Sequence, residues 1–160
     1  MKRRWIFVLL SLVILGAGWF LFRPERLFVN ARVNETFPGS SSSPESVAVV
    51  LTGSFHDGAH KGAGAATIHQ LAEDKRVLRL TNFETSNGPD VHVYLVAAED
   101  ATDNETVTRS GFIDLGSLKG NIGDQNYDVP AGTDLGKYRA VTIWCRRFSV
   151  NFATAPLKNI

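Results

Sequence analysis

Two hydrophobic patterns divide this chain. From Trp5 to Phe22, eighteen residues carry no charge, WIFVLLSLVILGAGWFLF. As a helix this run is apolar on every face, unlike a soluble helix with one buried stripe. It spans about 27 Å at the helical rise, near the hydrocarbon thickness of a bilayer. Trp5 and Trp19 fall near its ends, where amphipathic rings favour the interface. Small residues suited to signal cleavage, Gly16-Ala17-Gly18, are followed by Trp19-Phe20-Leu21-Phe22, so the apolar run continues past them. The pattern therefore predicts an uncleaved signal-anchor over residues 1–22, with a transmembrane helix over 5–22.

After residue 46 the pattern changes to short alternating runs broken by turn residues. Val47–Phe55, Ala65–Gln70, Arg76–Phe83, Val91–Ala97, Ile113–Leu115, Gln125–Val129, Tyr138–Cys145 and Phe148–Phe152 read as strands. Glu73-Asp74, Asn87-Gly88-Pro89-Asp90 and Pro130-Ala131-Gly132 read as turns. No helical stripe is expected beyond residue 46. About eight short strands predict an all-β domain over 47–160, a β-sandwich or a partly closed barrel. Between the two patterns lie Pro24, Pro38, Gly39, four serines from Ser40 to Ser43, and Pro44, so residues 23–46 read as a Pro/Ser-rich linker.

One strand can be read by face. Val141, Ile143 and Cys145 point one way, Ala140, Thr142 and Trp144 the other. The next apolar set, Phe148, Val150 and Phe152, is out of phase with the first, which predicts a bend or bulge at Arg146-Arg147.

Charge sharpens the division. The chain of 160 residues has a net charge of +1, yet residues 1–26 hold five basic side chains against Glu25 alone, and the remainder carries −3. Lys2-Arg3-Arg4 before the apolar run places the amino end inside and the β domain outside the cytoplasm. The expected location is a single-pass membrane protein with its domain at the cell envelope or surface, its anchor in lipid, and no nucleic-acid partner.

Cys145 is the single cysteine, so no intramolecular disulfide forms. Arg146 and Arg147 follow it, and nearby positive charge favours thiolate, the form that ligates metals and does redox chemistry. A small buried hydrophobe on a strand is the plainer reading of the same residue. His56, His60, His69 and His92 are the histidines, and His92 lies two residues after Asp90, so their side chains share a face. A cysteine with two histidines suits copper or zinc, but no metal-ligand spacing is present, and the one methionine is the initiator. Surface or hydrogen-bonded histidines are the plainer reading. Without Cys-x-x-Cys-His there is no covalent c-type haem, while haem on a single axial ligand stays open. Asp90 reads as a turn cap. No phosphate-binding loop, dinucleotide fingerprint or Gly-x-Ser-x-Gly is present.

A longer series brings these pieces together: Gly53-x-Phe55, His60-Lys61-Gly62-x-Gly64-x-Ala66, Leu78-x-Leu80-x-Asn82-Phe83, Gly88-Pro89-Asp90-Val91-x-Val93-Tyr94-Leu95, Gly116-x-Leu118-Lys119-Gly120-x-x-Gly123-x-Gln125-x-Tyr127-x-Val129-Pro130, and Ile143-Trp144-Cys145-x-x-Phe148-x-Val150-x-Phe152. It resembles the DM13 (DM-thirteen) domain, an electron-transfer-type module of exported and cell-surface proteins, over about residues 48–157. The resemblance implies a β-sandwich-like domain whose Trp-Cys cysteine, here Cys145, acts as a redox thiol or as a ligand for a prosthetic group such as haem or a metal ion. His60 and His92 are then candidate second ligands, and Arg146 and Arg147 electrostatic modifiers. With one module and no companion domain, the chain is expected to be an accessory that exchanges electrons with a redox partner rather than a stand-alone enzyme. Two rivals stand beside it. One is a non-catalytic binding or adhesion module meeting a surface protein or glycan. The other is a thiol enzyme using Cys145 with a histidine base.

Overall fold

The computed structural model describes residues 2–22, 29–38, 47–72 and 75–160. The expected turn at Glu73-Asp74 lies outside the described residues, between the two strands it was expected to join. The elements are α1 (Lys2–Phe22), β1 (Ala48–Ser54), β2 (His56–Asp57), β3 (Ala63–Ala72), β4 (Lys75–Glu84), β5 (Val91–Val96), α2 (Asn104–Ser110), β6 (Phe112–Ser117), β7 (Ile122–Val129), β8 (Ala140–Cys145), β9 (Val150–Pro156) and β10 (Lys158–Asn159).

The strands form two five-stranded sheets, β10-β1-β3-β4-β7 and β2-β9-β8-β5-β6, with every ladder antiparallel. The architecture is a sandwich rather than a closed barrel. Its interior is filled from both sides, by Leu51, Ile68, Leu78, Leu80 and Phe83 of the first sheet and Val93, Leu95, Ile143 and Phe152 of the second. Each such side chain contributes about 1.5–3 kcal/mol on full burial, and this core holds the domain without a disulfide.

The helix α2 departs from the sequence expectation. Asp103 caps it, accepting the Thr106 N–H at 2.7 Å, as short polar side chains do at N-termini. With seven residues and Val107 alone buried, α2 has no repeating stripe to detect. Val107 and Ala101 pack on Tyr94, Val96, Ala140 and Trp144, on the outer face of the second sheet. Strands β5 and β8 are therefore buried on both faces.

The predicted irregularity also lies elsewhere. Residues 146–149 form a four-residue turn, and Cys145 pairs with Val150 across it. Directly paired residues share a face, so the phase change belongs to the hairpin and needs no bend at Arg146-Arg147. Phe148 is at the turn and 63% exposed. The true register shift falls between Ile143 and Trp144, opposite Ala153 and Asn151, leaving Phe152 as the extra residue. That bulge lets Phe152, Ala153 and Ala155 all reach the core.

Within the stretch read as linker, residues 29–38 run along the edge of β7. Val33 and Glu35 donate backbone N–H bonds to Ile122 and Asp124 at 2.9 Å, and Arg32 bridges Ile122 in parallel. Lys119 Nζ meets both oxygens of Glu35 at 2.7 and 2.9 Å, and Asn126 N–H donates to Glu35 Oε2 at 2.7 Å. Two glycines admit this strap. A Cβ at Gly120 or Gly123 would strike the carbonyls of Ala31 or Val33, and Gly123 has a φ of +104°. The strap covers a sheet edge that would otherwise present unpaired backbone groups.

Burial opposes the charge on Glu35, but the bonds from Lys119 and Asn126 outweigh it and hold the carboxyl below its ordinary 4.5. A lowered folded-state pKa stabilises the docked form above the unfolded value, and that contribution is lost as pH falls through the folded one. Hydrogen-exchange protection of the Val33, Glu35 and Asn126 amides, relative to their intrinsic rates, should therefore fall below about pH 4.5 in the full chain. Glu35→Gln should show fast exchange at neutral pH. Equal protection at pH 3 and pH 7 would refute the clasp.

Among the described residues no helix is long and apolar enough to count as crossing a membrane. The described side chains of α1 run only from Arg4 to Phe20, so the expected spanning helix over residues 5–22 is not established there. Those apolar side chains lack cover: Trp5, Leu9, Leu12, Leu15 and Trp19 are all more than half exposed.

Candidate functional site

The site grows from the alternation of β5 and β8. Val91, Val93 and Leu95 face the core with Val141, Ile143 and Cys145. His92, Tyr94 and Val96 face outward, opposite Trp144, Thr142 and Ala140. The reading of β8 by face is thus met, and it separates the chemistry of adjacent residues.

Cys145 is free and fully buried, 0% exposed, between its paired neighbours Val91 on β5 and Val150 on β9. Arg146 turns the other way. Its guanidinium lies 3.8–3.9 Å from Asp114 and Asp90 and 3.5 Å from His92 Nε2. Its charge is therefore spent on two carboxylates across the sheet from the thiol. Arg147 is exposed in the same turn.

His92 is the centre of a polar cluster on the outer face. Its Nδ1 lies 3.0 Å from Asp114 Oδ1, and its Nε2 lies 3.3 Å from both Asp90 Oδ1 and Ser117 Oγ. His92 itself is 7% exposed. The Asp90 side chain, expected as a turn cap, faces His92 and Arg146. Ser117, His92 and Asp114 form a hydroxyl–imidazole–carboxylate line, but Asp90 and Arg146 also crowd Nε2. The nearby backbone N–H groups of Leu118, Lys119 and Gly120 are already given to Val91 O, Tyr127 Oη and Gln125 Oε1. No pair of those donors is left to hold an oxyanion.

The other histidines stand apart. The His60 ring lies on Phe152, centroids 4.0 Å apart. His56 Nε2 pairs with Asp100 at 2.9 Å. Burial pulls the His56 pKa down, but the Asp100 bond and charge prevail and raise it. His69 sits by Phe37, with Nδ1 buried and unpartnered, and burial lowers its pKa.

These positions test the expected ligand set. Cys145 faces the apolar core, His92 the opposite side of the sheet, and His60 a phenyl ring. Among the described residues no three His, Cys, Asp or Glu side chains are grouped to hold a metal. Asp90 and Asp114 address different nitrogens of His92, a hydrogen-bonding arrangement rather than a chelate. The cleft beside this cluster offers a haem no axial ligand. This cleft of about 550 Å3 lies at this end of the sandwich, lined by the strap at Val29 and Ala31, the turn from Asn87 to Val91, and the turn from Ser117 to Asn121. None of its lining residues is a histidine, cysteine or methionine able to serve as an axial ligand. Val91, which lines this cleft, is the β5 partner of Cys145, and Cys145 itself does not line it.

Above the cluster lies an aromatic stack. Tyr94 is parallel to Phe112, with centroids 4.2 Å apart and planes 3° from parallel. Trp144 lies 6.3 Å from Tyr94 on its other flank, at 24°. Tyr94 and Trp144 are nearly buried, while Phe112 is 44% exposed. Asp114, Ser117 and this stack were not singled out from the sequence. They meet through the β5–β6 register, and only the Asp114-x-Gly116 spacing, in which Asp114 Oδ1 accepts the Gly116 N–H, hints locally at a shaped turn.

The fold and site define a single antiparallel β-sandwich module with one core thiol and a histidine–carboxylate cluster on the opposite face. The chain belongs to the electron transfer DM13 family, whose model matches residues 54–157. No curated protein and no solved structure matches it.

Proposed function

We propose that this chain is a membrane-anchored, extracytoplasmic module that passes single electrons between partners. The observation that carries the reading is membership of the electron transfer DM13 family across nearly the whole sandwich. The working region is the end of the second sheet, where the Trp144-Cys145 pair, the His92 cluster and the cleft adjoin. Cys145 serves there as a thiol reached only when β8 parts from β5 or β9. Residues 5–22 are the anchor, supported by eighteen consecutive uncharged residues, the basic group before them, and apolar side chains exposed all round the helix.

Mediated voltammetry of the full chain in lipid nanodiscs tests the function. A reversible couple is expected, with electron exchange to added one-electron mediators. A chain electrochemically silent across the accessible range would overturn the reading, and binding of a basic protein or glycan by such a chain would favour an adhesion role. Carbonate extraction tests the anchor: the full chain stays in the pellet, and release into the supernatant refutes it.

A further inference from the structure

We infer that Tyr94, stacked between Phe112 and Trp144 and facing Asp114, is a one-electron relay that carries charge from the interior of the second sheet to its surface. This rests on the electron-transfer reading above and assigns it to protein side chains.

The placement is specific. Trp144 faces outward, on the opposite side of β8 from the Cys145 thiol, so the aromatic stack runs from the buried Trp144 and Tyr94 rings to exposed Phe112. Packing the small outer core of Val96, Ala101, Val107 and Ala140 needs only apolar bulk. A phenol adds a polar group in this setting, and Asp114 is the first charge to act on it. Asp114 is the direct cross-strand partner of Tyr94. Its carboxylate is oriented by His92 Nδ1 at 3.0 Å and the Gly116 N–H at 2.8 Å. Burial and then the Asp114 charge raise the Tyr94 pKa; Arg146 opposes them, and Asp90 adds the smallest raising effect. The resting group is therefore the neutral phenol, and removing an electron requires removing its proton as well.

The step balances. The Tyr94 O–H bond breaks, its electron passes to a strong one-electron outer-sphere oxidant such as an oxidised porphyrin radical of a partner protein, and its proton goes to the Asp114 carboxylate. A one-electron donor then reduces the phenoxyl radical, and the same proton returns. Acceptor and donor each change by one electron, and the chain is regenerated. Trp144 shares the oxidising equivalent as the neighbouring ring.

The test uses the full chain, oxidised with photogenerated tris(bipyridyl)ruthenium(III) and followed by electron paramagnetic resonance. The chain has three tyrosines, Tyr94, Tyr127 and Tyr138, so assignment by substitution is direct. A tyrosyl signal should appear in the wild type, persist in Tyr138→Phe and vanish in Tyr94→Phe, which keeps the stacked ring. Asp114→Asn should slow radical formation and diminish its solvent deuterium isotope effect. A tyrosyl signal that survives Tyr94→Phe overturns the relay. So does a voltammetric couple unaltered in Tyr94→Phe, which leaves electron transfer by another group standing. A wild-type chain silent in both measurements overturns the relay and the function together.

Discussion

Cys145 should react with a small aromatic disulfide reagent about 10^3-fold or more slowly in the folded chain than in the unfolded one. Its sulfur is fully buried, and its two paired neighbours are valines of adjacent strands. Side-chain motion alone does not clear a path to it. Reaction requires β8 to part from β5 or β9, and core strands open at free energies near that of global unfolding. An opening cost of about 5 kcal/mol holds the reactive fraction near 10^-4. Labelling rates with and without urea measure the ratio. A native rate within about tenfold of the denatured rate would mean that this end of the sandwich opens readily, since exposed and core thiols differ by far more. Cys145→Ser should then cost about 1–3 kcal/mol, because a hydroxyl replaces a soft apolar group where no partner is placed to receive it.

Gln125→Leu is expected to destabilise the domain by about 2–4 kcal/mol. Gln125 is 0% exposed on β7 and bonded at both ends of its amide. Nε2 donates to Gly120 O at 2.7 Å, while Oε1 accepts from Gly120 N–H at 3.2 Å and from Tyr127 Oη at 2.8 Å. A leucine fills similar space but strands the Gly120 carbonyl and amide and the Tyr127 hydroxyl. Each stranded buried group costs about 1–3 kcal/mol. Tyr127 Oη keeps the bond it receives from Lys119 N–H, which tempers the total. Burial pushes the Tyr127 pKa up, so its hydroxyl remains a donor across the working range. Urea unfolding should show a lower midpoint with an unchanged slope. A loss under about 0.5 kcal/mol would show that the Ser117–Asn121 turn is held by other contacts.

Much of the sandwich is legible in the sequence because its strands are read one residue at a time. Val141, Ile143 and Cys145 alternate with Ala140, Thr142 and Trp144, and that alternation sets the two faces of β8. The Trp-Cys motif with the glycine series carries the family. Features made by partners distant in sequence are silent. The strap has no apolar period, since it docks through backbone bonds, Glu35 and the space left by two glycines. Similarly, α2 is about two capped turns around a single buried valine. The four-residue hairpin imitates a bulge in the apolar pattern, while the real bulge at Phe152 hides in a run of small residues. Candidate chemistry was half visible. Cys145, His92 and Asp90 are conspicuous as residue types, but adjacency along the chain suggested that Arg146 serves the thiol. A strand reverses direction at every residue, so Arg146 serves the carboxylates instead.

The strap also sets a leash length. Seven Cα steps separate Phe22 at the end of α1 from Val29, a span of about 25 Å at most. With α1 in a bilayer, as proposed, the sandwich is confined to a thin layer over the lipid, and encounters with other anchored proteins become two-dimensional. Undocking the strap would extend the tether to Val47, 25 steps or about 90 Å when fully stretched. On that proposal, the Glu35–Lys119 clasp would govern how far from the membrane this module can search, and whether the partners within reach share its membrane or stand beyond it.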